Sequence, residues 1–315
     1  MKALIAFWCV LAGGCAFGAE VKSRPPPGGY ACAEAPTGVA GGFRHAGSSF
    51  AAGIGEARHR GVDMIARDGD AEQSIAGRLS YTSADKALED EAVDVYTCQP
   101  NGWDLVSTTR TDNNGRFAVK LAGAALLPVG THELYARVRG DNTGIRFYGF
   151  VVPADQQVVV SDVDGTLTDS ETACVGEILL GRDPGAQPGA AQALADTGEL
   201  VVYLTTRGDQ YTELTRQWLE DHAFPRGALR LAPSTLTLPG AAQRAAKTSM
   251  LGSLGVPVSA AIGNRESDVR AYQSQGLPAS RIFIKLPEFS GELAADLKAN
   301  QATGFDDFGS LSTQL

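Results

Sequence analysis

The chain has 315 residues, 43% hydrophobic and 20% charged, enough for two domains that each bury a core. Its formal net charge is -9 and it holds no local basic patch, so it gains nothing from displacing counterions on a phosphate backbone, and nucleic acid is excluded as a partner. After the first twenty positions no run of 18 apolar residues occurs, so no transmembrane helix is expected there.

The chain opens MKALIAFWCVLAGGCAFGAE, a lysine followed by a short apolar run and small residues. That is the pattern of a cleaved signal peptide over 1–19, with cleavage near Ala16 to Ala19. A lipoprotein cut before Cys15 is the weaker alternative, because LAGGC has Ala where such signals want a large aliphatic residue. The mature protein is therefore expected to be secreted or periplasmic. In that oxidising setting Cys32, Cys98 and Cys174 allow at most one disulfide, with the pairing left open. Residues 20–45, with PPPGG and GVAGGF, lack periodicity and read as a flexible linker.

From 46 to 153 short alternating runs are separated by turn residues, among them SIAGRLSYT, EAVDVYTC, WDLVSTTRT, GRFAVKL, THELYARVR and IRFYGFVVP. EAVDVYTC places Val93, Val95 and Thr97 on one face, and THELYARVR places Leu134, Ala136 and Val138 on one face. TDNNGR reads as a hairpin turn with Gly115 at positive φ. A calcium loop at Asp112 is the lesser reading, because the remaining ligands are absent. About seven strands at this spacing predict a small immunoglobulin-like β-sandwich. FRHAGSSFAAGIGEARHR is the nearest approach to an amphipathic helix for peripheral membrane contact.

From 154 to 315 apolar strands alternate with helical patterns: QVVVSD, then ELVVYLTTR, QYTELTRQWLED, VSAAIGN and RIFIKL. This predicts an α/β domain with a parallel, Rossmann-like sheet. Tyr211, Leu214 and Trp218 are the expected core face of the helix QYTELTRQWLED. In such sheets chemistry gathers at the carboxyl ends of the strands.

Four strand ends carry unusual residues. SDVDGTLTDS sets Asp162 and Asp164 one residue apart, where like charges repel unless a cation lies between them. Magnesium suits that pair, since it takes oxygen ligands and retains waters. Gly165 permits a sharp turn, and Thr166 adds a hydroxyl. Thr205, Thr206 and Arg207 close the next strand and offer a phosphate contact. Lys247 stands in a helical stretch with little other charge, and GNRESD supplies Asn264 and Asp268. Singly these read as a solvated turn, an N-cap, a solvated lysine and a capping arrangement. Their order and strand-end placement give the set its weight.

The order DVDGT, LTTR, a spaced lysine and GNRESD resembles the haloacid dehalogenase superfamily of aspartate-nucleophile phosphatases. Within it, SDVDGTLTDSE, VVYLTTRGDQYTELTRQWL and IGNRESDVRAYQSQGLPASRIFIKLP are similar to the magnesium-dependent phosphatidate phosphatases of the lipin type. They are also similar to the related domain of membrane-associated phosphatidylinositol transfer proteins. The resemblance covers roughly 150 to 290 and implies the roles that follow. Asp162 would be the nucleophile and Asp164 the acid and base. Thr205 and Lys247 would hold the phosphoryl group, with Thr166, Thr206 and Arg207 as further phosphate contacts. Asp162, Asp164, Asn264 and Asp268 would hold magnesium. The expected function is a magnesium-dependent phosphomonoester hydrolase, with phosphatidate as a candidate substrate and a phosphorylated small molecule or phospholipid as partner. The alternative is a non-catalytic module that recognises phosphatidic acid or another phospholipid, as the resemblance implies for the transfer-protein domain. Both aspartates and Thr205 are intact, which favours turnover. A histidine metal centre is disfavoured because His45, His59, His132 and His222 are scattered, and no GxSxG elbow occurs. No pattern specifies an oligomeric state.

Overall fold

The computed structural model describes residues 32–170, 183–233 and 240–315. The expected leader, the linker up to residue 31, Cys15 and Cys174 lie outside the described residues. The chain divides into two compact units with the boundary between Gln156 and Gln157.

The first unit is built from two sheets. One has β1 (Arg60–Val62), β3 (Glu72–Arg78) and β8 (Arg116–Ala122) in the order β1-β3-β8. The other takes β2 (Met64–Arg67), β6 (Ala92–Gln99), β7 (Gly102–Arg110), β9 (Gly130–Val138) and β10 (Gly144–Val152) in the order β2-β10-β9-β6-β7. A short ribbon pairs β4 (Ser80–Tyr81) with β5 (Lys86–Ala87). Strand alternation buries Val93 and Val95 of β6 with Leu134, Ala136 and Val138 of β9, and these pack with Ile75, Phe117 and Val119 of the three-stranded sheet.

Two expectations change here. TDNNGR is a turn with Gly115 at φ 73°, but it passes between the two sheets: β7 pairs with β6, and β8 pairs with β3. A Cβ at Gly115 would also lie 2.3 Å from the Leu79 carbonyl oxygen, so glycine is needed twice over. Residues 32–45, expected as flexible linker, are fastened to the sandwich. Cys32 is bridged to Cys98, its amide donates to Glu133, and the Gly41 amide donates to the Arg139 carbonyl. The segment read as an amphipathic candidate forms α1 (Ala46–Ile54), whose Phe50 and Ile54 are exposed. Among the described residues no helix is long and apolar enough to cross a membrane.

The second unit holds six parallel strands: β11 (Val158–Ser161), β12 (Leu200–Gly208), β13 (Ala228–Ala232), β14 (Val258–Gly263), β15 (Ile282–Lys285) and β16 (Thr303–Phe305). Helices intervene as α2 (Ala190–Asp196), α3 (Thr212–Asp221), α4 (Ala241–Gly252), α5 (Glu266–Ser274), α6 (Ser290–Lys298) and α7 (Phe308–Leu311). All four side chains of β11 are buried, as a strand inside a parallel sheet requires. The strand order is β13-β12-β11-β14-β15-β16. The chain thus leaves β11 in one direction and returns on its other side at β14, and the crevice above the carboxyl ends of this pair is the topological switch point.

Helix α3 departs from the expected face. It buries Thr212, Thr215, Arg216, Trp218 and Leu219, while Tyr211 and Leu214 are only partly covered. Polar side chains turn inward because Thr215 has a task at the strand ends.

Candidate functional site

Asp162 is the first residue beyond β11, and its amide donates to the Ile262 carbonyl at 2.9 Å, which ties it to β14. Gly165 at φ 72° then lets the chain fold back over the strand end, where the Gly165 amide donates to the Thr168 hydroxyl at 2.8 Å. Asp162 is 3% exposed. One carboxylate oxygen is 2.8 Å from Lys247 Nζ, and the other accepts from the Thr166 hydroxyl at 3.3 Å.

Lys247 comes from the middle of α4 and is equally buried. It also donates to Asp268 Oδ1. Burial pulls its pKa down, but Asp162 and Asp268 outweigh burial and hold the ammonium above the usual lysine value. Asp268 lies in the first turn of α5, and its Oδ2 accepts from the Asn264 and Arg265 amides at 3.1 and 3.0 Å. A Cβ on Gly263 would lie 2.5 Å from Asp268 Cβ, so this glycine lets the helix start press against β14.

Asp164 faces a different cation. Its Oδ2 accepts from the Thr205 hydroxyl at 3.1 Å and from Arg207 Nε at 3.0 Å, and its Oδ1 accepts from Arg207 Nη2 at 2.8 Å. Arg207 Nη1 donates to the Thr215 hydroxyl at 3.2 Å, and the Arg207 amide donates to Thr205 Oγ1 at 3.1 Å. Pairing between β12 and β13 slips between Thr205 and Gly208, a bulge that sits where these side chains are aimed. The repulsion expected of Asp162 and Asp164 is thus met by two cations, Lys247 for one and Arg207 for the other.

Of the residues singled out from sequence, Asp162, Thr166, Lys247 and Asp268 form one linked group, and Asp164, Thr205 and Arg207 form another. Thr206 joins neither: its hydroxyl accepts from Gln243 Nε2 on α4 at 3.4 Å. Asn264 is fully buried at the end of β14. Thr215 and Thr168 were not foreseen. The spacing Thr212, Thr215, Trp218 is itself a helical face, and it could have been read had polar residues been allowed on it.

The donors here are all oxygens, from carboxylates, an amide and the main chain, which fits magnesium by type. Asp162, Asn264 and the main chain at Asp164 could contribute. Asp268 is in addition engaged through both oxygens by Lys247 and by main-chain amides. No three His, Cys, Asp or Glu side chains among the described residues gather as a metal-binding group.

Residues 57–151 match the family model described as PITM 1-3, beta-sandwich domain, and residues 159–285 match PITM 1-3, LNS2 domain. The protein retinal degeneration B of Drosophila melanogaster is 30% identical over 259 residues, covering 80% of this chain and 20% of that protein. The human membrane-associated phosphatidylinositol transfer protein 3 is 31% identical over 235 residues, covering 72% and 23% respectively. Human membrane-associated phosphatidylinositol transfer protein 2 is 30% identical over the same length, with 72% and 17% covered. The matched region spans about a fifth of the length of these relatives. These matches name transfer-protein domains rather than lipins. They also overturn the expectation of a secreted or periplasmic protein, since the relatives are named as membrane-associated transfer proteins.

Proposed function

We propose that this chain, which carries the β-sandwich and LNS2 domains of the membrane-associated phosphatidylinositol transfer proteins in the same order, recognises a phosphate-bearing phospholipid through its LNS2 domain. Phosphatidic acid is the leading candidate, and the ligand's phosphate would sit above the carboxyl ends of β11 and β14. The observation that carries this reading is the charge of the linked side chains there. Among the described residues, three carboxylates, Asp162, Asp164 and Asp268, share two cations, Lys247 and Arg207. Counted over those residues one negative charge is in excess, so a phosphate there calls for an added cation. Magnesium, when bound, supplies that positive charge. Asp162, Asn264 and the Asp164 main chain would hold it. Lys247 is kept protonated by its two aspartates, and the Thr166 hydroxyl keeps Asp162 in place.

Cosedimentation with phosphatidylcholine vesicles, with and without phosphatidic acid, tests this reading. Binding that requires phosphatidic acid supports it, and equal sedimentation with phosphatidylcholine alone overturns it.

A second reading, hydrolysis, is favoured by the intact Asp162–Asp164 pair. An Asp162 oxygen would bond to phosphorus as the ester oxygen leaves, with Asp164 delivering its proton. Asp164 would then take a proton from water, whose oxygen bonds to phosphorus and frees Asp162. Phosphate release by the wild-type chain that Asp162→Asn abolishes is the expected signature. Undiminished release by Asp162→Asn would sink this mechanism.

A further inference from the structure

Arg207 closes the strand ELVVYLTTR, where a guanidinium is well placed to grip a phosphate. The side-chain contacts assign it elsewhere. Its side chain is 1% exposed, and each guanidinium nitrogen has a protein partner. Nε and Nη2 meet the two oxygens of Asp164 at 3.0 and 2.8 Å, and Nη1 meets Thr215 at 3.2 Å. A planar fork matched to both oxygens of a carboxylate fixes direction as well as charge. Thr205 completes the arrangement: its hydroxyl donates to Asp164 and accepts from the Arg207 amide.

We infer that Arg207 is a positioning residue that acts through Asp164, anchored by Thr215 of α3, and that it does not touch the ligand's phosphate. Thr215 explains the inward polar face of α3, and the slip in β12 pairing falls at the residues that form the clamp. For a phosphate to be gripped by Arg207, the guanidinium, itself 1% exposed, would have to give up a bidentate contact and leave Asp164 without its cation. Burial makes that exchange costly. Asp164 is thereby held in one orientation at the strand end whether or not a ligand is present.

The inference rests on the proposed phosphate site, and a double-mutant cycle separates the two. Wild type, Arg207→Lys, Asp164→Asn and the double variant, each as the full chain, are compared for affinity to vesicles containing phosphatidic acid in magnesium. Arg207→Lys keeps the charge and loses the fork, so it is expected to weaken binding about tenfold. Thr215→Val, which removes only the anchor, is expected to weaken it by about two- to fivefold. The double variant should bind within about twofold of Asp164→Asn alone, because the two residues act as one unit. A further loss of about tenfold in the double variant would mean that Arg207 contacts the ligand directly, and would overturn the clamp. Wild-type protein that binds no such vesicles would remove the proposed function and leave the clamp to be decided by urea midpoints of the same four proteins. Coupled midpoints support it, and additive midpoints contradict it.

Discussion

In the β-sandwich, Asp94 lies 2.7 Å from Arg137 and 2.8 Å from Arg139, Glu133 is met by Arg146 at 2.6 Å, and Asp85 is held by Arg60 and Arg78. In the α/β unit, Asp162, Asp164 and Asp268 have Lys247 and Arg207 between them. The first set has more cations than carboxylates, and its pairs run across neighbouring strands, as Asp94 of β6 does opposite Arg137 of β9. The second set has more carboxylates than cations and sits where parallel strands end. In the sandwich each of these carboxylates has at least one arginine of its own, whereas at the strand ends Asp162 and Asp268 share the single Lys247. On the proposed function, that shortfall is where a cation from outside would act.

Removing the shared cation should therefore cost most. Lys247→Met strands two buried aspartates, and a loss of about 3–5 kcal/mol in unfolding free energy is expected from urea denaturation. A loss below about 1 kcal/mol would erase the contrast between the units, since it would mean that these carboxylates are well solvated. The pKa of Lys247 is raised, so the lysine's contribution is complete below the ordinary lysine value and disappears only as pH climbs through the raised one.

The sandwich should answer to acid instead. Burial lowers the His59 pKa from 6.5 to about 4, against the upward pull of Asp141. Between those values the unfolded chain binds a proton that the folded chain refuses, so stability falls as pH drops from about 6.5 and levels off near 4. The expected loss is on the order of 3 kcal/mol. It should be visible as a lower melting temperature and faster amide exchange in β1, and His59→Gln should flatten that slope. An unchanged slope would place the acid sensitivity outside His59.

Arg139→Ala should have the smallest effect, below about 1 kcal/mol, because its side chain is half exposed and Asp94 keeps Arg137. A larger loss in the urea midpoint would show that the sandwich network is as finely balanced as the strand-end cluster.

Much of this arrangement was legible in the sequence, for reasons that the residues make plain. The run QVVVSD could be read as a buried parallel strand because it has no polar face, and Val93, Val95, Leu134 and Ala136 alternate as a sandwich demands. The motifs located Asp162 and Asp268 because such residues recur where strands end, and Lys247 because it stands in a helical stretch with little other charge. What sequence hid was partnership. Arg207 reads as a phosphate contact until its fork is seen on Asp164, and Thr215 reads as a surface residue until it receives Arg207. TDNNGR reads as a hairpin because a turn residue says where the chain bends and not which strand it then joins. The segment 32–45 reads as linker because Gly and Pro conceal the disulfide and main-chain contacts that fasten it.

The most direct test of the charge excess at the strand ends is calorimetric titration of inorganic phosphate into the full chain, in magnesium and in chelator. Binding that requires magnesium, at one site per chain, is the predicted result. Phosphate binding of equal strength in chelator would contradict it, because a cluster with one carboxylate in excess would then be accepting an anion unaided.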